Sequence, residues 1–411
     1  MEKPIPIGQA SLFLKLLLNY ILATRVSYDK AFKSIIKRYS FSKWLLPFFY
    51  KLGYNVVMNY YAIRWLSSRY GYGTRVGGIV DFLVRKGLSI KIVLDEVRDY
   101  ASSLAPVKRI SLIYSYPEFL VRNMLSRLDQ NIVEKMLASL NERKRWLRLN
   151  TLIASRERAL ECLEETGVEY ETNVYLPYIV RIKSDVWKPI GRNKCVSEGI
   201  VIPQDLSSAL IIESIKPFKT PFLDACSSPG VKLSQIIGLS KRDLQVLAVD
   251  LSIKRIEAEK KLLIKTNALY PGIILLNTDS SNIVFTRRFE QCLIDAPCSG
   301  LGVVYSDPAV KLNITQNKIL YYQNIQLNIL KNLINVCNEL IYTTCSIHPA
   351  EGEEVIEKIC SIHGDKLIFR KLKFEWFGEA YSGYSVSKNT YRIHPFITNS
   401  GGFYIAYIEK Q

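Results

Sequence analysis

The chain has 411 residues, of which 48% are hydrophobic and 23% are charged, an ordinary composition for a globular protein of two or three domains. No window supplies about 20 uninterrupted apolar residues, so the sequence predicts no membrane span. The formal net charge is +17, and residues 1–150 carry most of it, with 25 Lys and Arg against 10 Asp and Glu. This basic front end favours binding to a polyanion, with a generally basic surface as the alternative.

The first 105 residues predict an all-α domain. Apolar side chains recur at spacings of three and four over residues 8–100, the period of amphipathic helices. A linker is predicted over 102–106, where Ser102-Ser103-Leu104-Ala105-Pro106 interrupts the pattern. An aromatic stripe is interpreted as core, with an RNA-stacking surface as the alternative: Tyr50, Tyr54, Tyr60, Tyr61 and Trp65.

Residues 107–199 alternate between helical and strand patterns and predict a small α+β module. The predicted helices and strands cover 117–140 (helix), 146–153 (strand), 155–167 (helix), 170–174 (strand) and 178–182 (strand). A basic turn precedes the first strand. Its side chains are candidate phosphate contacts, with a solvated charged turn as the alternative: Arg143, Lys144, Arg145 and Arg148.

Residues 200–411 predict an α/β domain with a doubly wound, Rossmann-like parallel sheet, because buried strands alternate with helices. A strand at 221–225 enters the turn Cys226-Ser227-Ser228-Pro229-Gly230, which opens a helix at 231–239. The next strand ends at Asp250, and a third strand ends shortly before Asp279.

The turn and the acidic strand ends predict a cofactor site. Asp250 lies 20 residues beyond Gly230, a spacing at which a carboxylate can accept hydrogen bonds from ribose hydroxyls. A single glycine in the turn argues against a pyrophosphate, so an adenosine without phosphates, as in S-adenosylmethionine, fits better. Asp279 is a candidate for the adenine amino group, and helix capping is the alternative for both acids.

The eight cysteines form no CxxC pair and have no metal-ligand spacing with the three histidines. The sequence therefore predicts no disulfide framework, no metal site and a cytoplasmic, reducing setting. Four cysteines are predicted to be inert core residues: Cys162, Cys292, Cys337 and Cys360. Cys298 and Cys345 differ, since each follows an apolar strand pattern. Loops at neighbouring strand ends share the crevice of such a sheet, so both thiols are predicted to face one reacting atom.

Two thiols in one crevice suit the methylation of cytosine at carbon 5. That carbon is a poor nucleophile until a thiolate adds at carbon 6, and a base must then remove the proton from carbon 5 so that the adduct can break. Asp295, in Asp295-Ala296-Pro297-Cys298, is placed to bond ring nitrogen 3 and favour the addition.

These stretches resemble the Sun/RsmB family of S-adenosylmethionine-dependent RNA 5-methylcytosine methyltransferases. The resemblance covers residues 107–411, and the order of its two cysteine loops is its most specific part. The matching positions are 224–232, Asp250 with Arg255, Asp279, 295–300, 344–346 and 401–406. The family implies a catalytic domain at 200–411, an RNA-recognition-like extension at 107–199 and a helical RNA-binding domain at 1–105.

The resemblance also implies roles for individual residues. Cys345 is expected to be the nucleophile and Cys298 to help release the product. Asp295 is expected to contact the cytosine, and Lys232 to order the active site. The expected cofactor-binding residues are Ala225, Cys226, Ser227, Ser228, Pro229, Gly230, Val231, Asp250, Arg255, Asp279 and Asp295. The expected partner is rRNA or tRNA, and the protein is expected to be a cytoplasmic monomer that contacts no membrane.

Two positions depart from the family pattern. Val231 occupies a position that is often glycine, where unusual backbone angles are allowed, so it is expected to affect cofactor affinity. Glu351-Gly352-Glu353 replaces the usual Glu-Asn-Glu. Three other functions stay open: a catalytically silent RNA-binding protein, a methyltransferase for exocyclic amines, and a DNA cytosine methyltransferase. The last would place its nucleophile in a Pro-Cys loop, where Cys298 lies, so the roles of the two thiols also stay open.

Overall fold

The computed structural model describes residues 6–184, 187 and 189–410. The chain forms two compact units, of which the first comprises Met1–Glu142 with Val304–Gln316 and the second comprises Arg143–Val303 with Asn317–Gln411. The division therefore falls after residue 142, whereas the sequence pattern placed a domain boundary after residue 105. We call the two units the helical unit and the sheet unit.

The helical unit continues past the predicted linker. Its helices are α1 (Ile7–Thr24), α2 (Tyr28–Arg38), α3 (Leu46–Met58), α4 (Tyr60–Arg69), α5 (Val76–Arg85), α6 (Ile90–Ala101), α7 (Pro106–Ile113), α8 (Glu118–Leu125) and α9 (Gln130–Asn141). The linker ends at Pro106, which starts α7 at a position where its missing N–H costs nothing. The single helix predicted over 117–140 is two helices, because Asp129 accepts a hydrogen bond from the Asn131 amide and caps α9.

The core of the helical unit contains part of the aromatic stripe. Tyr54 is 1% exposed and Tyr60 is 7% exposed, so these two side chains pack as core, whereas Trp65 is only half-buried. Helix α1 buries Phe13 against Phe49, with stacked rings 4.9 Å apart. By length and composition α1 is apolar enough to cross a membrane, a property that buried helices of soluble proteins share.

The sheet unit begins with a small four-stranded antiparallel sheet in the order β2-β3-β1-β4. Its elements are β1 (Trp146–Leu149), α10 (Arg156–Glu165), β2 (Tyr170–Thr172), β3 (Ile179–Ile182), α11 (Lys194–Ser197), β4 (Val201–Pro203) and the following helix α12 (Leu206–Ser214). This sheet and its helices confirm that a small α+β module precedes the larger sheet, whereas its bounds of 107–199 stay a prediction.

A larger sheet follows. Its elements are β5 (Phe222–Asp224), α13 (Val231–Leu239), β6 (Val246–Asp250), α14 (Ile253–Lys265), β7 (Ile273–Asn277), β8 (Phe289–Asp295), α15 (Ala309–Asn313), α16 (Gln316–Leu333), β9 (Cys337–Thr344), α17 (Glu353–His363), β10 (Leu367–Phe369), β11 (Gly378–Glu379), β12 (Tyr391–Ile393), α18 (Pro395–Thr398) and β13 (Phe403–Lys410). Helix α15 lies in the segment 304–316, which belongs to the helical unit.

The strand order of the larger sheet places the two cysteine loops side by side. The order is β11-β12-β13-β9-β8-β5-β6-β7, with β10 beside β13. The neighbours from β7 to β9 are parallel, which confirms the doubly wound α/β class, and the strands beyond β9 are antiparallel. Asp295 at the end of β8 pairs with Thr343 in β9. Both strands therefore deliver their following loops to the same edge of the sheet.

The structure overturns the prediction that the chain lacks disulfides. Cys162 is bonded to Cys195, which joins α10 to α11, and Cys292 is bonded to Cys337, which joins β8 to β9. The partners are 33 and 45 residues apart in sequence. No local spacing motif therefore predicts the two disulfides, because the tertiary fold brings the partners together.

Two of the four candidate phosphate contacts are structural residues instead. Arg148 is 3% exposed and Lys144 is 7% exposed. Arg148 donates hydrogen bonds from Nε to Gln204 and from Nη2 to Ser234, each at 2.6 Å, and its burial lowers the pKa of its guanidinium to about 10. The prediction is therefore wrong for these two side chains. Arg148 lies in β1, all four residues of which are buried.

Candidate active site

Cys298 and Cys345 meet at the edge of the larger sheet. Their Sγ atoms are 3.2 Å apart, and both side chains are half-buried. The contact with Cys345, burial, and the negative charges of Cys345 and Glu351 raise the pKa of Cys298 well above its ordinary value. Cys298 is therefore a protonated thiol at neutral pH.

Glu351 fastens the two cysteine loops together. Its Oε1 accepts a hydrogen bond from the Ser299 amide at 2.7 Å. Its Oε2 accepts hydrogen bonds from the hydroxyls of Ser299 at 2.5 Å and Ser346 at 2.6 Å. Since Ser299 follows Cys298 and Ser346 follows Cys345, this buried carboxylate sets the spacing of the two thiols.

Backbone contacts reinforce that spacing. The Gly302 amide donates to the Cys345 carbonyl at 2.9 Å, and the Gly402 amide donates to the Gly302 carbonyl at 2.8 Å. A Cβ at Gly302 would lie 1.8 Å from the Gly402 carbonyl oxygen, so only glycine fits there. The start of β13 is thereby joined to both cysteine loops.

Lys232 and Asp295 form an ion pair beside the thiols, with Nζ 2.6 Å from Oδ2. Burial opposes the charge of Lys232, but the Asp295 carboxylate and the Cys345 sulfur outweigh it and raise the pKa of Lys232. The structure thus brings together the four side chains assigned to catalysis: Cys298, Cys345, Asp295 and Lys232.

The predicted cofactor turn connects β5 to α13. Gly230 has φ +88°, and a Cβ there would lie 2.8 Å from Cγ of Glu259, so glycine is required at this position. Val231 is the first residue of α13 and has an ordinary helical backbone. Val231 therefore needs no unusual backbone angles, because the positive φ falls at Gly230, and its effect on cofactor affinity stays a prediction. The hydroxyls of Ser227 and Ser228 both donate to Glu259 at 2.8 Å.

The acids at the strand ends are placed differently from one another. Asp250 is buried and accepts from the Ser252 amide at 2.9 Å, with its other oxygen 3.4 Å from Arg255. Arg255 also donates to the Ser228 carbonyl, so it ties the acid to the cofactor turn. Asp279 instead bonds within its own turn, to Ser281 and Asn282.

The turn retains acceptors that suit a nucleoside cofactor. Oδ1 of Asp224 and Oε1 of Glu259 are buried with no hydrogen-bond partner among the described residues. Burial, then the charges of Asp224, Asp295 and Asp250, raise the pKa of Cys226, which shows that these acids converge on the turn. Unpartnered acceptors beside a carboxylate at the end of β6 fit the hydroxyl and ammonium donors of S-adenosylmethionine. Residues 225–231, Asp250 and Arg255 are those that could hold it.

Two family models match this chain. One, described as 16S rRNA methyltransferase RsmB/F, matches residues 215–409, and the other, a ferredoxin-like domain of the RsmF/B-like methyltransferases, matches residues 116–187. The two models identify residues 116–187 and 215–409 as RsmB/F-type domains. A probable ribosomal RNA small subunit methyltransferase B of Bacillus subtilis is 28% identical over 72% of this chain and 65% of its own length. A 28S rRNA (cytosine(4447)-C(5))-methyltransferase of Homo sapiens is 29% identical over 74% of this chain and 39% of its own length.

The chain thus spans just under two thirds of the Bacillus relative and less than half of the human one. Among solved structures, the protein named PH0851 superposes with a TM-score of 0.77 at 22% identity, over 99% of both chains. That similarity shows that the two proteins share a fold.

Sequence analysis missed the residues that brace this RsmB/F site. Arg392, 1% exposed, donates to both carboxylate oxygens of Glu353 at 2.7 and 2.6 Å and to the Ser346 carbonyl at 2.9 Å. Gln326 of α16 donates to the Pro297 carbonyl at 2.9 Å. The run Glu351-Gly352-Glu353 is the available signal in the sequence, because both of its acids are fully buried.

Proposed function

We propose that this protein methylates carbon 5 of a cytosine in RNA through a covalent adduct with Cys345, and that S-adenosylmethionine is the methyl donor. The contact between the Cys298 and Cys345 sulfurs, beside the Lys232–Asp295 ion pair, is the observation that carries the proposal. The names of the relatives favour rRNA as the substrate class over tRNA.

In this proposal Cys345 is the nucleophile. The ammonium of Lys232 stays charged beside it, because Asp295 and Cys345 raise the pKa of Lys232 against the effect of burial. A nearby cation stabilises a thiolate and lowers the cost of forming it. The Cys345 thiolate adds to carbon 6 of the cytosine, and the electron pair displaced from the ring double bond makes carbon 5 nucleophilic. Ring nitrogen 3 takes up the proton that the Cys345 thiol gives up, and the resulting N–H donates a hydrogen bond to the Asp295 carboxylate, which favours this addition.

S-adenosylmethionine, when bound by residues 225–231, Asp250 and Arg255, supplies the electrophilic methyl group that carbon 5 accepts. The proton on carbon 5 must then leave to a base, and the bond from carbon 6 to Cys345 breaks. Cys298 assists this departure, because its protonated thiol lies 3.2 Å from the leaving sulfur and can donate a hydrogen bond to it. The raised pKa of Cys298 keeps that proton in place.

Substitution of each thiol tests the two roles. Cys345→Ala is expected to abolish methylation and to form no adduct, whereas Cys298→Ala is expected to trap a covalent RNA–protein adduct. Adducts are detected by denaturing gel electrophoresis with labelled rRNA, and methylation by bisulfite sequencing of the same RNA. Cys360→Ala is the matched control, because this half-buried thiol lies on α17 outside the site.

Two outcomes would contradict the proposal in different ways. An adduct from Cys345→Ala and none from Cys298→Ala would reverse the roles of the thiols and favour the arrangement of DNA cytosine methyltransferases. Binding of RNA by the unmodified protein, without methylation or adduct on rRNA or tRNA, would favour the alternative of a catalytically silent RNA-binding protein.

A further inference from the structure

One face of α4 lines a groove in the helical unit. Tyr61, Arg64, Trp65 and Ser68 recur at the spacing of a single helical face, and all four line a cavity of about 360 Å³. The opposite face of α4 buries Ile63 and Leu66 completely. The groove face is therefore the one that α4 leaves available, and we call this cavity the α4 groove.

The groove combines aromatic rings with positive charge. Arg64 is exposed, and its charge acts on the Tyr61 phenol, where it opposes the rise in the pKa of Tyr61 that burial causes. At the end of the face, the Arg69 guanidinium lies 5.3 Å from the ring centre of Trp65 and 4.5 Å from that of Tyr100. Tyr100 is 43% exposed, so the cluster formed by Trp65, Arg69 and Tyr100 is accessible to solvent.

The far wall of the groove adds polar groups. Lys108 and Ser111 of α7 line it, and Glu118, the acid of the lining, forms an ion pair with Lys108. The charge of Glu118 is therefore neutralised by Lys108. The exposed Arg64 and Arg69 then make the net charge of the α4 face positive. The surroundings have the same sign, because residues 1–142 carry 21 Lys and Arg against 10 Asp and Glu.

We propose that the α4 groove binds a single-stranded segment of RNA, with a base against Trp65 and neighbouring phosphates on Arg64 and Arg69. Aromatic rings interleaved with guanidinium groups suit a chain of alternating bases and phosphates. A cavity of about 360 Å³ is in the size range of sites for small molecules, and a duplex presents no free base to it. The inference rests on the proposed function only in taking RNA as the substrate, since the groove contains none of the residues of the cysteine site.

Binding of the full-length protein to a fluorescent 12-nucleotide single-stranded RNA tests the groove. Trp65→Leu is expected to weaken binding by about tenfold, the order expected for losing one stacked base. Arg64→Gln is expected to reduce the slope of log affinity against log salt by about 0.7, the share of one phosphate on a single strand. The matched controls are Trp44→Leu and Lys33→Gln, which change an exposed Trp and an exposed Lys of the same unit, and they are expected to change neither quantity.

Ultraviolet crosslinking gives a second measurement that does not depend on a substitution. Crosslinked peptides, identified by mass spectrometry, are expected to include residues 60–69. Equal losses in the Arg64 and Lys33 variants, crosslinks only outside 60–69, tighter binding of a duplex of equal length, or displacement of the RNA by an acidic peptide would each overturn the proposal.

Methylation of rRNA by the same samples separates this inference from the proposed function. Methylation together with unchanged binding by Trp65→Leu and Arg64→Gln would overturn the groove and leave the enzyme assignment intact. Binding at the groove without methylation would overturn the enzyme assignment and support the groove.

Discussion

At the level of single residues, Glu351 has two effects on the thiol pair. Its three hydrogen bonds join the loops that carry Cys298 and Cys345, so it fixes where the sulfurs lie. Its charge is also among the causes that raise the pKa of Cys298, after the contact with Cys345 and burial. Burial raises the pKa of Glu351 itself, while hydrogen bonds from Ser299 and Ser346 oppose that rise. The same carboxylate therefore supports both the geometry and the protonation of the pair.

Glu351→Gln separates these effects from simple packing. Glutamine has nearly the same shape but lacks the charge and one acceptor, so the variant is expected to lose about 1–3 kcal/mol of stability and to show a lower pKa of Cys298. Alkylation of Cys298 at a series of pH values, followed by peptide mass spectrometry, measures that pKa and is expected to begin at lower pH than in the unmodified protein. Glu357→Gln, on the following helix α17, is the control. An unchanged alkylation profile would contradict the electrostatic role of Glu351.

At the level of elements, neighbouring strands β8 and β9 supply the active site and are also cross-linked. The Cys292–Cys337 disulfide joins them within the sheet, and Cys162–Cys195 joins α10 to α11 near the small sheet. Closing a loop of this length restricts the unfolded chain and stabilises the native state by about 2–4 kcal/mol.

Replacing the pair in the sheet tests this contribution. Cys292→Ala with Cys337→Ala is expected to lower the free energy of unfolding by about 2–4 kcal/mol, measured by denaturation without a reducing agent. Alanine leaves no unsatisfied polar group at these buried positions. Cys162→Ala with Cys195→Ala is the parallel variant. Detection of eight alkylatable thiols in the unfolded, unreduced protein, rather than the four of Cys226, Cys298, Cys345 and Cys360, would contradict both disulfides.

The elements also show what sequence could predict. The helix at 231–239 was predicted at its observed bounds and the strand at 246–250 within one residue, because hydrophobic periodicity and the Pro-Gly turn are local signals. The meeting of the two cysteine loops followed from their places at neighbouring strand ends. Arg148 and Arg392 were not anticipated as buried residues, because a charged side chain is buried only when distant partners such as Gln204 and Glu353 satisfy it.

At the level of the whole molecule, the helical unit is discontinuous. The segment 304–316 follows the Cys298 loop in sequence but packs with residues 1–142. The Tyr54 hydroxyl donates to the Tyr305 carbonyl at 2.6 Å, and the Tyr28 amide donates to Asp307 at 2.9 Å. The sequence pattern of 304–316 does not predict that this segment packs in the helical unit, because its partners lie about 250 residues away in sequence. The segment 304–316, which follows the Cys298 loop in sequence, is therefore a structural part of the helical unit.

Lys311 is the central anchor of that segment. It is fully buried, and its Nζ donates to the carbonyls of Met58 at 3.0 Å and Tyr114 at 2.9 Å and to the Asn141 side chain at 2.7 Å. The ammonium also lies 3.8 Å from the ring centre of Tyr116. These acceptors are neutral, so burial lowers the pKa of Lys311 well below its ordinary value.

Lys311→Met is expected to destabilise the helical unit, because the acceptors on Met58 and Asn141 lose their donor at about 1–3 kcal/mol each, whereas the Tyr114 carbonyl keeps a hydrogen bond from the Asn141 amide. The variant should also lose a pH dependence. With a lowered folded pKa, Lys311 takes up a proton on unfolding, so stability decreases by up to about 1.4 kcal/mol per pH unit as the pH falls from 10.5 towards the folded pKa. Urea denaturation at pH 7 and pH 9.5 measures both effects, with exposed Lys91→Met as the control. Equal pH dependence in the variant and the unmodified protein would show that Lys311 is not the group that titrates.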